Sequence, residues 1–151
     1  MNPAPNPAEN SAAEKEKARA LGLSNQRYVS SVKPIFQEAC LDCHSDQTRF
    51  PWYYELPWVK GLIDKDISEA KKHIDMTGDF PFRGHGSPEE DLKAIEKVVR
   101  EKEMPPFRYR VMHPASGINQ VQREAVFRWI RDTQQELQKV ARSQQERKGK
   151  N

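Results

Sequence analysis

The chain has 151 residues, of which 36% are hydrophobic and 31% are charged. This length fits one compact domain with loose ends, and so few apolar residues predict a thin core that a buried prosthetic group would help to fill. No run approaches the roughly 18 consecutive apolar residues of a membrane-spanning helix, so we expect no integral membrane segment. Residues 1–5 lack the charged and then apolar pattern of a secretory leader, so we expect any signal or anchor to be absent from this sequence.

The net charge of +3 is concentrated at the C-terminal end. Residues 142–151 contain four basic residues and one acidic residue, so the remainder of the chain is electrically balanced. A protein that binds nucleic acid needs a basic face to match the phosphates. We therefore predict no nucleic-acid partner, and we predict a flexible basic tail at residues 142–151.

The N-terminal part of the chain is polar. Residues 1–24 contain almost no large apolar side chains, so we expect a flexible tether with at most a frayed helix. The compact domain is predicted over residues 25–141. Its first helix is predicted at about residues 32–39, with Pro34 in the first turn and an apolar stripe of Val32, Ile35, Phe36 and Ala39.

The middle of the chain is predicted to alternate between loops and helices. Residues 45–58 are dense in aromatic residues and proline, which favours a loop. Residues 78–86 are rich in glycine and should form a second loop that interrupts the helical structure. Between these two loops a short helix is predicted, marked by Ile67, Ala70 and Ile74.

The clearest helix start is Ser87-Pro88-Glu89-Glu90, where a capping serine, a proline at the first helical position and a glutamate three residues after the cap coincide. This helix should end before Met104-Pro105-Pro106 and bury Leu92, Ile95 and Val99.

An extended loop is then expected to about Gly117, and a last helix from the cap Asn119 to about Ala141. No run of four residues alternates in polarity as a strand does, so the predicted fold class is all-α.

The two cysteines stand in Cys40-Leu41-Asp42-Cys43-His44, the spacing typical of covalent haem attachment. Two thiols one helical turn apart can each add to a vinyl group on one porphyrin edge. His44 can then reach the iron as the proximal ligand. The sequence therefore predicts one covalently attached haem c.

Three other interpretations of the cysteine pair stay open. A structural zinc site expects a second close pair of ligands, which the chain does not offer among its cysteines. A thioredoxin-like redox pair expects a preceding strand, whereas a helix is predicted here. A plain disulfide needs no adjacent histidine.

Further motifs carry a resemblance to the small family of single-haem c-type proteins known as the haem-binding domain. They lie between about residues 28 and 132: Cys40-Leu41-Asp42-Cys43-His44-Ser45, Thr48, Pro51-Trp52-Tyr53, Pro57, Asp66-Ile67, Met104-Pro105, Tyr109, His113-Pro114 and Trp129-Ile130. The resemblance implies a mostly helical, cytochrome c-like domain wrapped around one haem, located in the periplasm or elsewhere outside the cytoplasm. This chain departs from the family at residues 78–86, where an aromatic-rich stretch is expected.

A second axial ligand to the iron is expected from a methionine or histidine. Met104 is preferred because it lies 60 residues beyond His44, between a helix end and a loop that Pro105 and Pro106 stiffen. His73, at the end of a short helix, is the alternative distal ligand. The remaining candidates are given other roles. Met76 and Met112 are interpreted as packing residues, His85 as a mobile surface histidine, and His113 as a buried hydrogen-bonding residue that fixes the loop.

Aromatic and basic residues near these motifs are candidates for the haem pocket. Trp52, Tyr53 and Trp58 are expected to form the wall of the haem crevice. Arg108 and Tyr109 follow the Met104 loop and are candidates to bond the haem propionates, along with Arg110.

These features predict an electron carrier that passes single electrons between redox partner proteins and turns over no substrate. The alternatives are a ligand-binding or sensory haem protein, and a peroxidase-like protein, each with an open or displaceable sixth position. A peroxidase would need a distal acid-base residue, for which His73 or His85 is available. The sequence contains no pattern for hydrolytic catalysis.

Overall fold

The structure of the protein is a computed structural model that describes residues 7–150, with side chains described from Ser11. This part of the chain is helical, which confirms the predicted all-α class. Its one β-ladder is a pair of two-residue antiparallel strands, β1 (Ile74–Asp75) and β2 (Arg83–Gly84). The helices are α1 Pro7–Arg27, α2 Lys33–Ala39, α3 Leu41–His44, α4 Pro57–His73, α5 Pro88–Arg100, α6 Phe107–Met112 and α7 Gln120–Lys148.

Helices α1 and α7 pack along each other in opposite directions. Trp129 Nε1 donates a hydrogen bond to the Ser24 carbonyl at 3.0 Å, and the Ser143 hydroxyl lies 3.3 Å from the Glu16 carboxylate. A flexible tether was expected over residues 1–24, yet the chain is helical from Pro7, and residues 1–6 lie outside the described part. The buried face of α1 is made of small side chains such as Ala20 and Ser24, so it lacks the apolar stripe that predicts a helix.

The end of α7 also differs from the prediction. The helix continues through Lys148, beyond the expected end at Ala141 and through most of the predicted flexible tail. Ser143 and Arg147 both contact Glu16 on α1. These polar contacts extend the helix pair past the last apolar residues of α7.

An aromatic cluster forms the centre of the core. The ring of Trp129 stands edge-on to the rings of Phe36 and Phe80, with centroid distances of 6.4 and 5.2 Å. Tyr28, fully buried, contacts Phe36, Phe82 and Trp129. The contact between Phe36 and Trp129 therefore joins α2 to α7, and the glycine-rich segment of residues 78–86 supplies two of the aromatic core residues.

The helices around this core begin where capping chemistry predicts. Ser87 and Glu90 form a complete capping box at the start of α5, and Asn119 and Gln122 form one at the start of α7. The predicted stripe of Leu92, Ile95 and Val99 is buried. Pro34 lies in the first turn of α2, as expected.

Two predicted loops contain helical turns. Residues Trp52–Glu55 form a 3-10 turn, and α4 begins at Pro57, so that Trp58 lies in the first turn of a 17-residue helix. Helix α6 occupies part of the expected extended loop. Pro106 precedes α6 at its N-cap, where a missing N–H leaves no intrahelical bond unmade, so a proline-rich sequence is compatible with this helix start. Among the described helices, none is long and apolar enough to cross a membrane.

Candidate functional site

The motif Cys40–His44 lies where α2 gives way to α3. The backbone amides of Cys43 and His44 donate to the Cys40 carbonyl at 3.2 and 3.0 Å, so a single helical turn carries both thiols and the imidazole. Both cysteines are free and half-buried. Burial raises the pKa of Cys40 to about 12 and that of Cys43 to about 11. A thioredoxin-like pair depends on the opposite shift, because its nucleophile is a thiolate.

The imidazole of His44 is oriented by the backbone. Its Nδ1 lies 2.9 Å from the Ile74 carbonyl, and since a carbonyl only accepts, Nδ1 carries the proton and donates. Nε2 is then left with a free lone pair. Burial lowers the pKa of His44, which favours the neutral ring. A neutral imidazole with one nitrogen held by a carbonyl is the usual form of a metal-ligating histidine.

The short β-ladder holds the carbonyl that orients His44. Ile74 is paired with Gly84 across the ladder. Two residues later, the amide of Met76 donates to the His44 carbonyl at 2.6 Å. Residues 74–76 therefore contact both the side chain and the backbone of His44. Met76 itself is buried in the core, as predicted.

Asp42, between the two cysteines, is the centre of a hydrogen-bond network. Only 6% of its surface is exposed. Its carboxylate accepts from the backbone amide and the guanidinium of Arg49, and from the hydroxyl of Tyr109 at 2.5 Å. Burial by itself would raise the pKa of Asp42, but the hydrogen bonds from Arg49 and Tyr109 outweigh burial and hold that pKa below its usual value.

The segment that follows Met104 lies beside the motif. Tyr109 on α6 bonds to Asp42, and Arg108 bonds to Asp66 on α4 at 2.5 Å. The ring of His113 stacks on Tyr109 with a centroid distance of 4.1 Å, and its Nδ1 donates to the Tyr109 carbonyl. The predicted role of His113 in fixing this loop is consistent with these contacts. Binding of haem propionates by Arg108 and Tyr109 stays a prediction.

The candidate distal ligands differ in position. Met104 is 41% exposed, at the start of the segment tied to Asp42 and Asp66. His73 is exposed in the last turn of α4 and lies near enough to His44 that its charge contributes to lowering the pKa of His44. His85 is exposed, in agreement with its interpretation as a surface residue. Met112, interpreted as a packing residue, is 54% exposed.

Large apolar side chains are exposed on two segments beside the motif. Trp52 is 90% exposed and Trp58 is 75% exposed, while Tyr53 is half-buried. The Arg108–Asp66 bond ties one segment to the other. Exposed apolar side chains mark a binding site where they form one contiguous patch, and beside two thiols and an imidazole nitrogen these side chains are compatible with a flat apolar macrocycle such as haem. The side chains are Phe50, Trp52, Leu56, Trp58 and Leu62, and Met104, Phe107, Val111 and Met112.

A zinc site receives no support from the described residues, in which no three His, Cys, Asp or Glu side chains come together as metal ligands. The sequence reasoning missed Asp42, Arg49 and the carbonyl of Ile74. For Asp42 a signal existed, because an acidic residue inside an attachment motif that must be buried requires a partner such as Arg49. The Ile74 carbonyl had no signal, since backbone groups are not distinguished by residue type.

Comparison with known proteins supports haem binding by this chain. The model of the haem-binding domain family matches residues 5–132. Cytochrome c peroxidase Ccp of Escherichia coli (strain K12) is 30% identical over 96 residues, which make up 62% of this chain and 21% of that protein. The chain thus spans about a fifth of the length of this relative. No solved structure matches the chain. The family match covers most of the sequence and includes every residue of the candidate site, so the chain belongs to the haem-binding domain family.

Proposed function

We propose that this haem-binding domain is a mono-haem c-type cytochrome that carries single electrons between redox partner proteins outside the cytoplasm. The observation that carries the proposal is the state of His44, whose Nδ1 donates to a backbone carbonyl so that Nε2 keeps its lone pair, in the same helical turn as two thiols. The extracytoplasmic location is in keeping with the family resemblance of the CxxCH, PWY and MP motifs.

Each residue of the motif has a distinct role in this proposal. Cys40 and Cys43 would form the two thioether bonds to one haem c, and His44 would be the proximal ligand through Nε2. When bound, the haem supplies a one-electron couple between ferric and ferrous iron. The hydrogen bond to Ile74 keeps the imidazole in one orientation and raises its basicity as a ligand.

Met104 is the proposed distal ligand. Three features support it: the thioether is partly exposed, Pro105 and Pro106 stiffen the chain that follows, and the segment is hydrogen-bonded to the attachment motif through Tyr109. His73 remains the alternative ligand. With His44 and Met104 both holding the iron, no position on it would be open to a substrate. The exposed rings of Trp52 and Trp58 would cover the haem crevice and meet a docked partner.

A peroxidase-related role is the second candidate, because the relative with 30% identity is named a cytochrome c peroxidase. This role requires an open or easily displaced sixth position and a distal acid-base group. His73 and His85 are both exposed and are the histidines available for that task. A ligand-binding or sensory protein would need the same open position without the acid-base group.

The absorption spectrum of the oxidised holoprotein, produced in a host that matures c-type cytochromes, tests the proposal. We expect a low-spin spectrum with the weak far-red band of methionine bound to ferric iron. The band should disappear in Met104→Ala and persist in Met112→Ala, which removes another exposed methionine of the same segment. A high-spin spectrum that shifts on addition of cyanide would contradict the carrier and favour the peroxidase-related role.

A further inference from the structure

Asp42 is held more firmly than a surface carboxylate. It accepts four hydrogen bonds, three of them from Arg49, whose guanidinium also bonds to Glu38 and to the Gln37 carbonyl on α2. Arg49 thus ties the attachment turn to the preceding helix, which the Cys40 amide also does through its bond to the Phe36 carbonyl. The fourth bond, from Tyr109, joins the turn to α6 instead.

The hydrogen bond from Tyr109 to Asp42 also holds α6, the helix that carries Tyr109. Helix α6 has six residues and contains no buried residue. Helices this short are not stable on their own propensity. Its connections to the motif and to α4 are the hydrogen bonds of Tyr109 and Arg108 to carboxylates, and Arg108 is 61% exposed, so its ion pair with Asp66 contributes little. The Tyr109–Asp42 bond, half-buried and charge-assisted, is the stronger anchor.

We propose that Asp42 and Tyr109 form a clasp that positions residues 104–112 against the attachment motif and so determines how firmly Met104 is held as the distal ligand. The inference rests on the proposed function, in which Met104 binds the iron. Asp42 is then a positioning residue, which couples the proximal and distal sides of the haem site through a single hydrogen bond across 67 residues of chain.

The test compares Tyr109→Phe with Tyr54→Phe in the holoprotein. Both substitutions remove a hydroxyl that donates to an aspartate, and the bond from Tyr54 to Asp64 at 2.6 Å lies outside the clasp. Imidazole binding to the ferric protein, followed by optical titration, reports how easily the distal ligand is displaced. We expect Tyr109→Phe to bind imidazole roughly tenfold more tightly than the unsubstituted protein, the effect of losing one charge-assisted hydrogen bond. Tyr54→Phe should leave the affinity unchanged.

Hydrogen exchange gives a readout that does not depend on the iron. The amides of Arg110 and His113 bond to the carbonyls of Pro106 and Tyr109. Their exchange should be faster in Tyr109→Phe, while the amides of α7 keep their protection. A uniform increase over the whole domain would indicate general destabilisation and would contradict the clasp.

Met104→Ala separates failure of the inference from failure of the proposed ligand. If Met104→Ala binds imidazole more tightly and Tyr109→Phe does not, Met104 is the ligand and the clasp is overturned. If Met104→Ala and the unsubstituted protein bind imidazole equally, the assignment of Met104 fails, and with it the part of the inference that concerns the ligand. Slow exchange of the α6 amides in Tyr109→Phe would overturn the remaining part.

Discussion

The imidazole of His44 and the carbonyl of Ile74 are joined by a hydrogen bond of 2.9 Å across thirty residues of chain. Ile74 is in turn paired with Gly84 in the two-residue ladder. The orientation of the proposed proximal ligand therefore depends on a backbone segment that contributes no ligand of its own. Changes in that segment should affect the haem site without touching the attachment motif.

Gly84→Ala tests the role of this ladder directly, because Gly84 is paired with Ile74. Gly84 has a φ of +131°, and an added Cβ would lie 2.6 Å from the His73 carbonyl oxygen, so alanine is both strained and in collision with backbone. We expect a loss of about 1–3 kcal/mol in the free energy of unfolding, measured with urea, together with a weaker low-spin signal from the haem.

Gly78→Ala is the matched control, because its Cβ would meet only the end of the Arg83 side chain at 3.9 Å. Its stability should stay within about 0.5 kcal/mol of the unsubstituted protein. Equal effects at the two glycines would show that the ladder has no particular role at the site.

The assignment of His44 as the proximal ligand predicts a difference between two histidines. In His44→Ala the haem should remain attached through Cys40 and Cys43, but the ferric spectrum should become high-spin because one axial ligand is lost. In His73→Ala the low-spin spectrum should persist. Pyridine haemochrome analysis of both variants verifies that the haem content is equal. Loss of the low-spin signal in His73→Ala would instead support His73 as the distal ligand.

Asp91 predicts a dependence of stability on pH. Only 3% of its surface is exposed, and its Oδ2 has no hydrogen-bond partner among the described residues. Burial, and to a smaller extent the charge of Glu90, raise the pKa of Asp91 to about 6. The folded protein then binds this proton more tightly than the unfolded chain, whose aspartate titrates at about 4. The contribution of Asp91 to the free energy of unfolding is therefore fully present below about pH 4, and it is lost as the pH rises through about 6.

Asp91→Asn removes the titrating carboxyl group, so the prediction is tested by measuring the unfolding free energy of this variant and of the unsubstituted protein as a function of pH. The difference in unfolding free energy between Asp91→Asn and the unsubstituted protein should shift in favour of the variant by on the order of 1–3 kcal/mol between pH 4 and pH 7. Glu101→Gln, which removes an exposed carboxylate at the other end of α5, is the matched control for the loss of one negative charge. A profile for Asp91→Asn that parallels that of the control would show that Asp91 is ionised without penalty in the fold.

Trp129 links the core to α1. Trp129→Phe removes the hydrogen bond to the Ser24 carbonyl and part of the ring that packs on Phe36 and Phe80. We expect the free energy of unfolding to fall by about 1–3 kcal/mol. Val121→Ala on the same helix, where the side chain is 76% exposed, should change it by less than about 0.5 kcal/mol. A change of that small size in Trp129→Phe would mean that α1 is held by other contacts.

The helices that the sequence predicts well are those whose ends are set by local chemistry. Ser87 and Asn119 each make reciprocal hydrogen bonds within four residues, so the signal and the structure coincide. Helix α1 could not be predicted in this way. Its burial depends on small side chains, such as Ala20, that meet α7 more than one hundred residues later in the chain. Helix α6 was not predicted, because prolines stand before and after it and proline favours a loop.

The candidate site also has parts that the local sequence predicts and parts that depend on distant contacts. Cys40, Cys43 and His44 are adjacent in sequence, and their spacing alone predicts haem attachment. The partners that position them are distant: Ile74 acts through its backbone, and Tyr109 reaches Asp42 across 67 residues. Tyr109 was identified from its place after Met104, but its partner depends on the tertiary fold.

The antiparallel pairing of α1 and α7 has a consequence for how the domain can be connected to other polypeptide. Ala13 lies beside Gln144, and Ser24 lies beside Trp129, so the outer turns of both helices lie at the same end of the pair. Helix α1 alone is about 30 Å long at 1.5 Å per residue. Polypeptide joined to these two outer ends would therefore enter and leave the domain side by side, at the end of the helix pair away from Trp129.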